Sequence, residues 1–403
     1  MIASPSHDPL RGLNSANRYE VYAGLRERLP IYWSSVHPAW IVTRYVDVNT
    51  VLRRPDAVPV DPSKHLLPLA RRGGIDLSSL LRFCDSLVFF AQPPRHDAIR
   101  RVMAQTLAGI RSLDVPQLLG GNADRLLDAG QRAGTIDLAG GYGKVLPLIV
   151  GATFLGIPQE HISQLSGLAD DLIGIFEFSV PSISILKKLN RCAGELADYF
   201  SSMIIARRRI PADDGASLII RLADEQLHCD DEELAYYCLN FFLAAEATTG
   251  AAISSAALTL LQNPSLSAQL RADPALFPVA VSEFMRLATP VQFVARQLPV
   301  DIELAGQLIP AGDPVMLILG SVNRDPAAFP NPNEPLLDRS EPKPLSFAAG
   351  PYSCIGIQLA TLEVEVAMRR LLERPSLRLA SEPAVWSPRR NFAPLERVPA
   401  CFG

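Results

Sequence analysis

Apolar residues recur at helical spacing along most of the chain, with polar residues between them. This spacing dominates from residue 96 to about residue 270, and it predicts a large helical body. Within it, residues 234–262 are apolar or small on nearly all sides, follow an acidic run at 230–233 and end before Asn263-Pro264. Carboxylates stabilise the positive end of a helix and proline ends one, so this stretch predicts a single long buried helix.

Short runs of β-branched and aromatic residues lie on either side of the helical body. Residues 31–33 and 40–43 predict a hairpin, residues 301–309 a second hairpin, and residues 314–319 a strand. Residues 46–53 predict a helix, the irregular residues 55–92 a long functional loop, and a break at 176–182 a loop between two helices. The predicted class is mainly α, with a small β portion near 31–45 and 297–320 and a helical bulk at 96–290.

Composition narrows the possible functions. The 403 residues contain no linker, low-complexity tract or repeat, which predicts one domain over residues 1–403. With 48% hydrophobic residues and a net charge of -4, the chain is neither disordered nor basic enough to indicate nucleic acid. Its start lacks a signal pattern and no stretch reaches the length needed to span a bilayer, so we expect a cytoplasmic protein without a membrane anchor. Six scattered cysteines argue against a disulfide framework or structural zinc.

The most informative segment is a glycine-containing loop at 347–356, which places Cys354 at the start of an amphipathic helix. The amino terminus of a helix favours the thiolate, which is the form of cysteine that binds metal. Gly350 and Gly356 allow a flat, bulky group to approach the backbone. Taken alone, Cys354 could equally be a small buried hydrophobic residue, as most unpaired cysteines are.

The loop resembles the haem-binding signature of the cytochrome P450 family, Phe-x-x-Gly-x-x-x-Cys-x-Gly followed by two variable residues and Leu-Ala. Phe347, Gly350, Cys354 and Gly356 fill its positions, and the resemblance extends over essentially the entire chain. It implies the cytochrome P450 fold, with haem b (iron protoporphyrin IX) between a long central helix and the helix after the cysteine loop. It also implies Cys354 as the axial thiolate ligand of the iron and O2 as co-substrate.

Three cationic side chains are implied to bind the haem propionates. His96 and Arg100 lie one helical turn apart and match the family's Pro-Pro-x-His-x-x-x-Arg helix, and Arg296 matches a third propionate ligand. A histidine without such a context is more often a surface residue. Tyr352 stands two residues before the cysteine, where the family usually has His or Arg, so it can donate a hydrogen bond but adds no charge.

Glu283 and Arg286 are spaced i and i+3, so their side chains can meet on one helix face. A pair of this kind usually marks a solvated surface. Here Arg296, residues 323–326, Pro332 and Arg339 follow in the order and spacing that the family shows. By resemblance, Glu283, Arg286 and Arg339 form a structural ionic triad behind the haem-binding loop, with a role in folding.

The predicted long helix contains a variant of the family's proton-relay motif, Ala-Gly-x-Asp/Glu-Thr-Thr, whose acid and first threonine help to deliver protons to dioxygen. Thr248 and Thr249 are retained, but Ala247 takes the acid's place and Glu246 comes one residue earlier, about 100° around a regular helix. Three accounts stay open. A local bulge brings Glu246 into the proton path, water or a substrate group carries the proton, or the chemistry departs from ordinary hydroxylation.

The resemblance implies a haem-thiolate monooxygenase that inserts one oxygen atom from O2 into an organic substrate. The chain has no Gly-x-Gly-x-x-Gly motif after a strand, so electrons must come from a separate partner. The family's partner is a ferredoxin with an NAD(P)H-dependent ferredoxin reductase, and Arg95, Arg101 and Lys343 are candidates for its docking. The alternatives are a peroxide-driven or rearranging haem-thiolate enzyme, and a non-catalytic haem-binding sensor or carrier.

The substrate pocket is expected to lie along four stretches with little fixed charge, which predicts an apolar, medium-sized substrate such as a terpenoid, a polyketide or a fatty-acid-like molecule. Aromatic residues at helical spacing are otherwise ordinary core residues. The predicted lining residues are Phe83, Val88, Phe176, Phe178, Ile183, Leu243, Ala244, Val291, Phe293 and Val294.

Overall fold

A computed structural model describes residues 2–3, 8–13, 17–61, 63–177, 182–339, 342–392 and 395–403 of the chain. Most of these residues are helical and the strands are short, as the apolar spacing predicts. The helices are α1 Arg18–Arg28, α2 Tyr45–Arg53, α3 Ser63–Gly73, α4 Ser78–Ser86, α5 Arg95–Ala108, α6 Val115–Ala133, α7 Val145–Leu155, α8 Gln159–Leu172, α9 Ile183–Arg209, α10 Gly215–Gln226, α11 Asp231–Ala244, α12 Gly250–Gln262, α13 Pro264–Ala272, α14 Phe277–Ala288, α15 Leu319–Val322 and α16 Ile357–Leu372. The strands are β1 Ile2–Ala3, β2 Ile31–Ser34, β3 Ala39–Val42, β4 Val58–Pro59, β5 Thr135–Asp137, β6 Val294–Gln297, β7 Ile302–Leu304, β8 Gln307–Ile309, β9 Pro314–Leu317, β10 Leu377–Leu379, β11 Val385–Trp386, β12 Leu395–Arg397 and β13 Pro399–Phe402.

The chain forms two compact units. The first comprises Met1–Val58, Leu119–Leu146 and Thr248–Gly403, and the second comprises Pro59–Leu118 and Pro147–Ala247. The expectation of a single domain over residues 1–403 stays a prediction.

A mixed sheet organises the first unit, with strands in the order β1-β2-β3-β9-β6. The predicted hairpin is β2 with β3, which pair antiparallel so that Trp33 lies opposite Trp40 with their rings in edge contact. The second predicted hairpin is β7 with β8. Strand β9 pairs parallel to β3 and antiparallel to β6, which places Arg296 of β6 opposite Val315 of β9.

Helices α12, α14 and α16 pack against one another in the first unit. Helix α16 buries one side, and that side includes the carboxylate of Glu363, which is only 2% exposed. Among the described residues, Oε1 of Glu363 has no hydrogen-bond partner. Burial raises the pKa of Glu363 to about 8, because the charged form loses its hydration without gaining a partner.

This buried acid predicts a stability that falls as the pH rises. The folded chain holds the Glu363 proton more tightly than the unfolded chain, so the stabilisation is complete below about pH 4.5 and is lost as the pH rises through about 8. The shift corresponds to a penalty on the order of 4 kcal/mol at pH 9. We expect Glu363→Gln to remove most of this dependence in denaturant unfolding at pH 5, 7 and 9. Glu365→Gln, on the same helix but paired with Arg369, is the control, and equal pH profiles for wild type and Glu363→Gln would contradict the prediction.

The second unit is built around α9, against which α4, α8, α10 and α11 pack. The long loop predicted for residues 55–92 is wrong in part, since this segment contains α3 and α4. The reason is visible in the chain: Leu77, Leu80 and Cys84 recur at helical spacing and are buried. Helices α8 and α9 flank the predicted break, of which residues 178–181 lie outside the described residues.

The predicted long helix is present as α11 and α12, joined by one π-helical turn at Ala245–Thr249. Asp230 caps its amino terminus by accepting a hydrogen bond from the backbone N–H of Glu233. The combined run Asp231–Gln262 is 32 residues long with a mean hydropathy of 1.3, so its length and composition would permit a membrane span. The expectation that no stretch is long enough is therefore corrected. As 72% of its most apolar window is buried inside the protein, the run has the character of a core helix.

Candidate active site

Cys354 is the one exposed cysteine among the six. It lies in a tight loop, where its backbone N–H donates to the carbonyl of Phe347 at 3.0 Å and Ser353 N–H donates to the carbonyl of Gly350 at 3.1 Å. Helix α16 begins at Ile357, so the sulfur lies just before the helix and not on its first turn. Cys84 and Cys238 are less suited to ligation, because burial raises the pKa of Cys84 to about 12 and also raises the pKa of Cys238.

Gly350 is required by the shape of the loop. Its φ is +71°, and a Cβ at this position would lie 2.2 Å from the carbonyl oxygen of Leu52 at the end of α2. A side chain would thus be strained in its backbone and would collide with fixed main-chain atoms. The glycine of the signature lets α2 and the cysteine loop pack in direct backbone contact.

Arg296 projects from β6 and is 5% exposed. Burial lowers the pKa of its guanidinium to about 10. Within the described part of the chain it forms no ion pair with a carboxylate; it donates to the carbonyl of Ala295 at 2.9 Å and lies 5.2 Å from the ring centre of Tyr352. The tyrosine that replaces a usual cation thus acts on Arg296 by a cation–π contact.

His96 and Arg100 lie one turn apart on α5 in the second unit, as the sequence pattern requires. The imidazole of His96 is buried, and its Nδ1 lies 2.9 Å from the carboxylate of Asp97. That contact holds the ring and directs Nε2 to other partners. Arg100 is half-buried.

The π-helical turn falls on the displaced relay motif. Thr248 is half-buried and Thr249 is buried within this turn, so the helix contains the kind of bulge that the first of the three accounts requires. Ala245 stands where the family motif has glycine. On the facing helix α7, a Cβ built on Gly151 would lie only 2.9 Å from Cβ of Ala245. Gly151 therefore makes the room for the methyl group of Ala245.

Glu246 is 1% exposed and accepts a hydrogen bond from the hydroxyl of Ser166 on α8. A charge-assisted hydrogen bond of this kind offsets part of the cost of burying a carboxylate. Sequence reasoning missed Ser166, since the two residues are 80 positions apart and nothing in the local pattern of α8 singles out one serine.

The three residues of the predicted ionic triad lie together. Arg286 donates to both carboxylate oxygens of Glu283, at 2.7 and 2.8 Å, and Arg339 donates to Glu283 at 3.1 Å. Arg286 also donates to the carbonyl of Asn323. The side chain of Asn323 accepts from Leu345 N–H and donates to Ser346, immediately before the cysteine loop.

The predicted pocket residues of the second unit differ in exposure. Phe176 is half-buried and packs on Phe89 and Phe90, with ring centroids 5.3 and 6.1 Å apart. Phe83 is fully buried in α4. Leu243 is buried and Val88 is half-buried, whereas Ile183 and Ala244 are exposed. Phe178 lies outside the described residues.

In the first unit, Phe293 belongs to a core cluster with Tyr22 and Met316, so its role there is packing. Val294 lies in β6 and packs at the edge of a second core cluster. Val291 forms an isolated bridge with Phe392. Of these three, Val291 and Val294 are half-buried, and their place in a substrate pocket stays a prediction.

Residues 275–394 match the family described as cytochrome P450. A relative from Bacillus subtilis (strain 168), named biotin biosynthesis cytochrome P450, is 32% identical over 389 residues, which is 96% of each chain. The chain belongs to the cytochrome P450 family. The structure of P450BioI in complex with hexadec-9Z-enoic acid ligated acyl carrier protein is similar, with a TM-score of 0.85 at 30% identity, covering 96% of this chain and 98% of that one. Myxobacterial CYP267B1 in complex with myristic acid has a TM-score of 0.85 at 28% identity over all of both chains.

The predicted P450 fold is thereby confirmed, and the protein is an oxidoreductase of the P450 monooxygenase family. Membership implies a haem with a cysteine thiolate ligand and the use of O2. The residues of the first unit fit such a group. Arg296 is a buried cation whose charge no carboxylate of the described residues balances, and an acidic substituent of a haem would supply that charge. Cys354 presents an exposed sulfur.

When bound, the haem supplies the iron at which dioxygen is activated. The chain's own residues then have separable tasks. The sulfur of Cys354 would hold the metal, and Arg296, held by the ring of Tyr352, would neutralise an anionic substituent. The hydroxyl of Thr248 is of a type that both donates and accepts hydrogen bonds, and the hydroxyl of Ser166 fixes the side chain of Glu246 by donating to it.

Proposed function

We propose that this protein inserts one oxygen atom from O2 into an apolar, medium-sized substrate, with fatty-acid-like molecules as the first class to test. The observation that carries the proposal is an exposed cysteine in the P450 loop, in a chain similar over its whole length to P450 enzymes. The substrate class is supported by the fatty-acid ligands of two similar structures. The half-buried Phe176, packed against the tilted rings of Phe89 and Phe90, supplies an apolar surface of the required kind.

The residue assignments form part of the proposal. Cys354 ligates the iron of haem b, and Phe347, Gly350 and Gly356 shape the loop that carries it. His96, Arg100 and Arg296 bind the propionates, with Tyr352 supporting Arg296. Cytoplasmic localisation is an expectation of the same kind.

A ferredoxin with its reductase is proposed as the source of electrons. Arg101 and Lys343 are exposed and suit an acidic redox partner, each on its own unit. Arg95 is less suited, because its guanidinium already forms an ion pair with Glu233. Two of the three candidate docking residues, Arg101 and Lys343, therefore remain.

One alternative has a specific observation in its favour. Ala247 stands at the relay acid's position, and the carboxylate of Glu246 accepts a hydrogen bond from Ser166 on another helix. If that bond keeps Glu246 out of the proton path, neither Glu246 nor the residue at the usual acid's position delivers protons. The enzyme would then be expected to use peroxide or to rearrange its substrate.

The decisive experiment compares electron sources on the haem-loaded protein. We expect turnover of long-chain fatty acids with ferredoxin, its reductase and NADPH under labelled dioxygen, and one labelled oxygen atom in the product by mass spectrometry. Turnover with hydrogen peroxide alone would favour the alternative. A haem protein that gives no product with either source would instead be a sensor or carrier.

A further inference from the structure

We propose that one corner of the second unit docks an acidic acyl carrier protein, so that the substrate arrives as an acyl chain attached to its phosphopantetheine arm. The inference rests on the fatty-acid-like substrate class proposed above. The surface consists of Leu67, Arg71 and Arg72 on α3 together with Ile183 and Lys187 on α9, and we call it the basic corner.

The two helices meet at this corner. A Cβ built on Gly73, the last residue of α3, would lie 3.3 Å from Cδ1 of Ile183, the first residue of α9. Arg72 and Arg71 are one and two residues from this contact, and Lys187 lies one turn beyond Ile183 on the same face of α9. Leu67 and Arg71 are likewise one turn apart on α3. Cations and apolar side chains are therefore interleaved on one small surface.

The positive charge of the basic corner is available to a partner. Arg71, Arg72 and Lys187 are exposed, and none of them forms an ion pair with a carboxylate in the ranges that the structure describes. Nearby acids are engaged elsewhere, since Asp171 pairs with Lys188 and Asp76 accepts hydrogen bonds from Ser78. By contrast, Arg82, Arg95 and Arg208 of the same unit each pair with a carboxylate.

The exposed apolar side chains narrow the type of partner. Ile183 is 50% exposed and Leu67 is 39% exposed, so two apolar side chains lie among the cations, where a partner can cover them. A basic rim around apolar anchors suits a partner that is acidic and amphipathic and that carries a phosphate diester. An acyl carrier protein has all three properties. A small free acid would need only one cation, and nucleic acid would need no apolar anchors.

The test measures binding to the haem-loaded protein in two ways. Affinity for hexadecanoyl acyl carrier protein is measured with the carrier immobilised, and affinity for free hexadecanoic acid is measured by calorimetry. We expect Arg71→Glu/Lys187→Glu to weaken carrier binding by about 10-fold or more, and to change free-acid affinity by less than about 2-fold. Carrier binding should also weaken with added salt. Arg111→Glu, an exposed arginine distant in sequence from both helices, is the matched control and should change neither affinity.

Each other outcome overturns the inference in a recognisable way. If carrier affinity is unchanged in the double variant, the basic corner is not the docking site. If vesicles of anionic phospholipid bind through Arg71 and Lys187 while the carrier does not bind, the surface is a membrane contact. If the free acid binds and the carrier does not, docking is wrong although the proposed substrate class stands. If neither binds, the substrate class fails as well.

Discussion

Replacement of Cys354 by serine is expected to abolish the thiolate-type absorption band of the reduced, carbon-monoxide-treated protein and to leave a folded chain. Serine cannot supply the sulfur ligand. The loop should keep its shape, because the substitution retains the backbone N–H groups of Cys354 and Ser353, which donate to the carbonyls of Phe347 and Gly350. The measurement is the difference spectrum of the variant together with its unfolding midpoint.

Cys401→Ser is the matched control for this variant. Cys401 lies in β13 of the same unit, is half-buried and is outside the signature, so its replacement should leave the spectrum intact. A normal thiolate band in Cys354→Ser, or its loss in Cys401→Ser, would assign the ligand to a different sulfur and remove the basis for the proposed function.

Local patterns in the sequence were sufficient for much of the fold and of the site. The two hairpins, the long apolar helix and the cysteine loop are each set by residues close together in the chain, and each is present. The spacing of His96 and Arg100 on α5 follows from helix geometry alone. Gly350 is informative for the same reason, because a positive φ is a property of one residue.

Contacts between distant segments could not be read from such patterns. Ser166 reaches Glu246 only because α8 packs beside the π-helical turn, and Gly151 compensates for Ala245 only across a helix contact. Phe293 was assigned to the pocket from its chemistry, whereas its neighbours in space put it in a core cluster. Glu363 is an intermediate case. Sequence reasoning does not single out Glu363, although it lies in the amphipathic helix predicted after Cys354; its burial, and the lack of a hydrogen-bond partner for Oε1 among the described residues, follow from how α16 packs.

The second large effect is expected from Arg286→Ala, which should destabilise the protein by about 3 to 5 kcal/mol and reduce haem incorporation. Arg286 is fully buried, and its loss would leave the Glu283 carboxylate buried with much of its counter-charge removed. It would also release the carbonyls of Asn323, Pro332 and Glu334, to which the guanidinium donates at 2.9, 2.6 and 2.9 Å.

The effect should extend from the ion pair to the cysteine loop through Asn323, whose side chain binds Leu345 and Ser346. Denaturant unfolding and the ratio of haem to protein after purification measure the two consequences. Arg339→Ala is the control, because Arg339 is partly exposed and donates a single hydrogen bond to Glu283, so its loss should cost about 1 kcal/mol. The prediction is wrong if both variants are destabilised by the same small amount and bind a full complement of haem. In that case the hydrogen bonds from Arg286 through Asn323 do not stabilise the loop that carries Cys354.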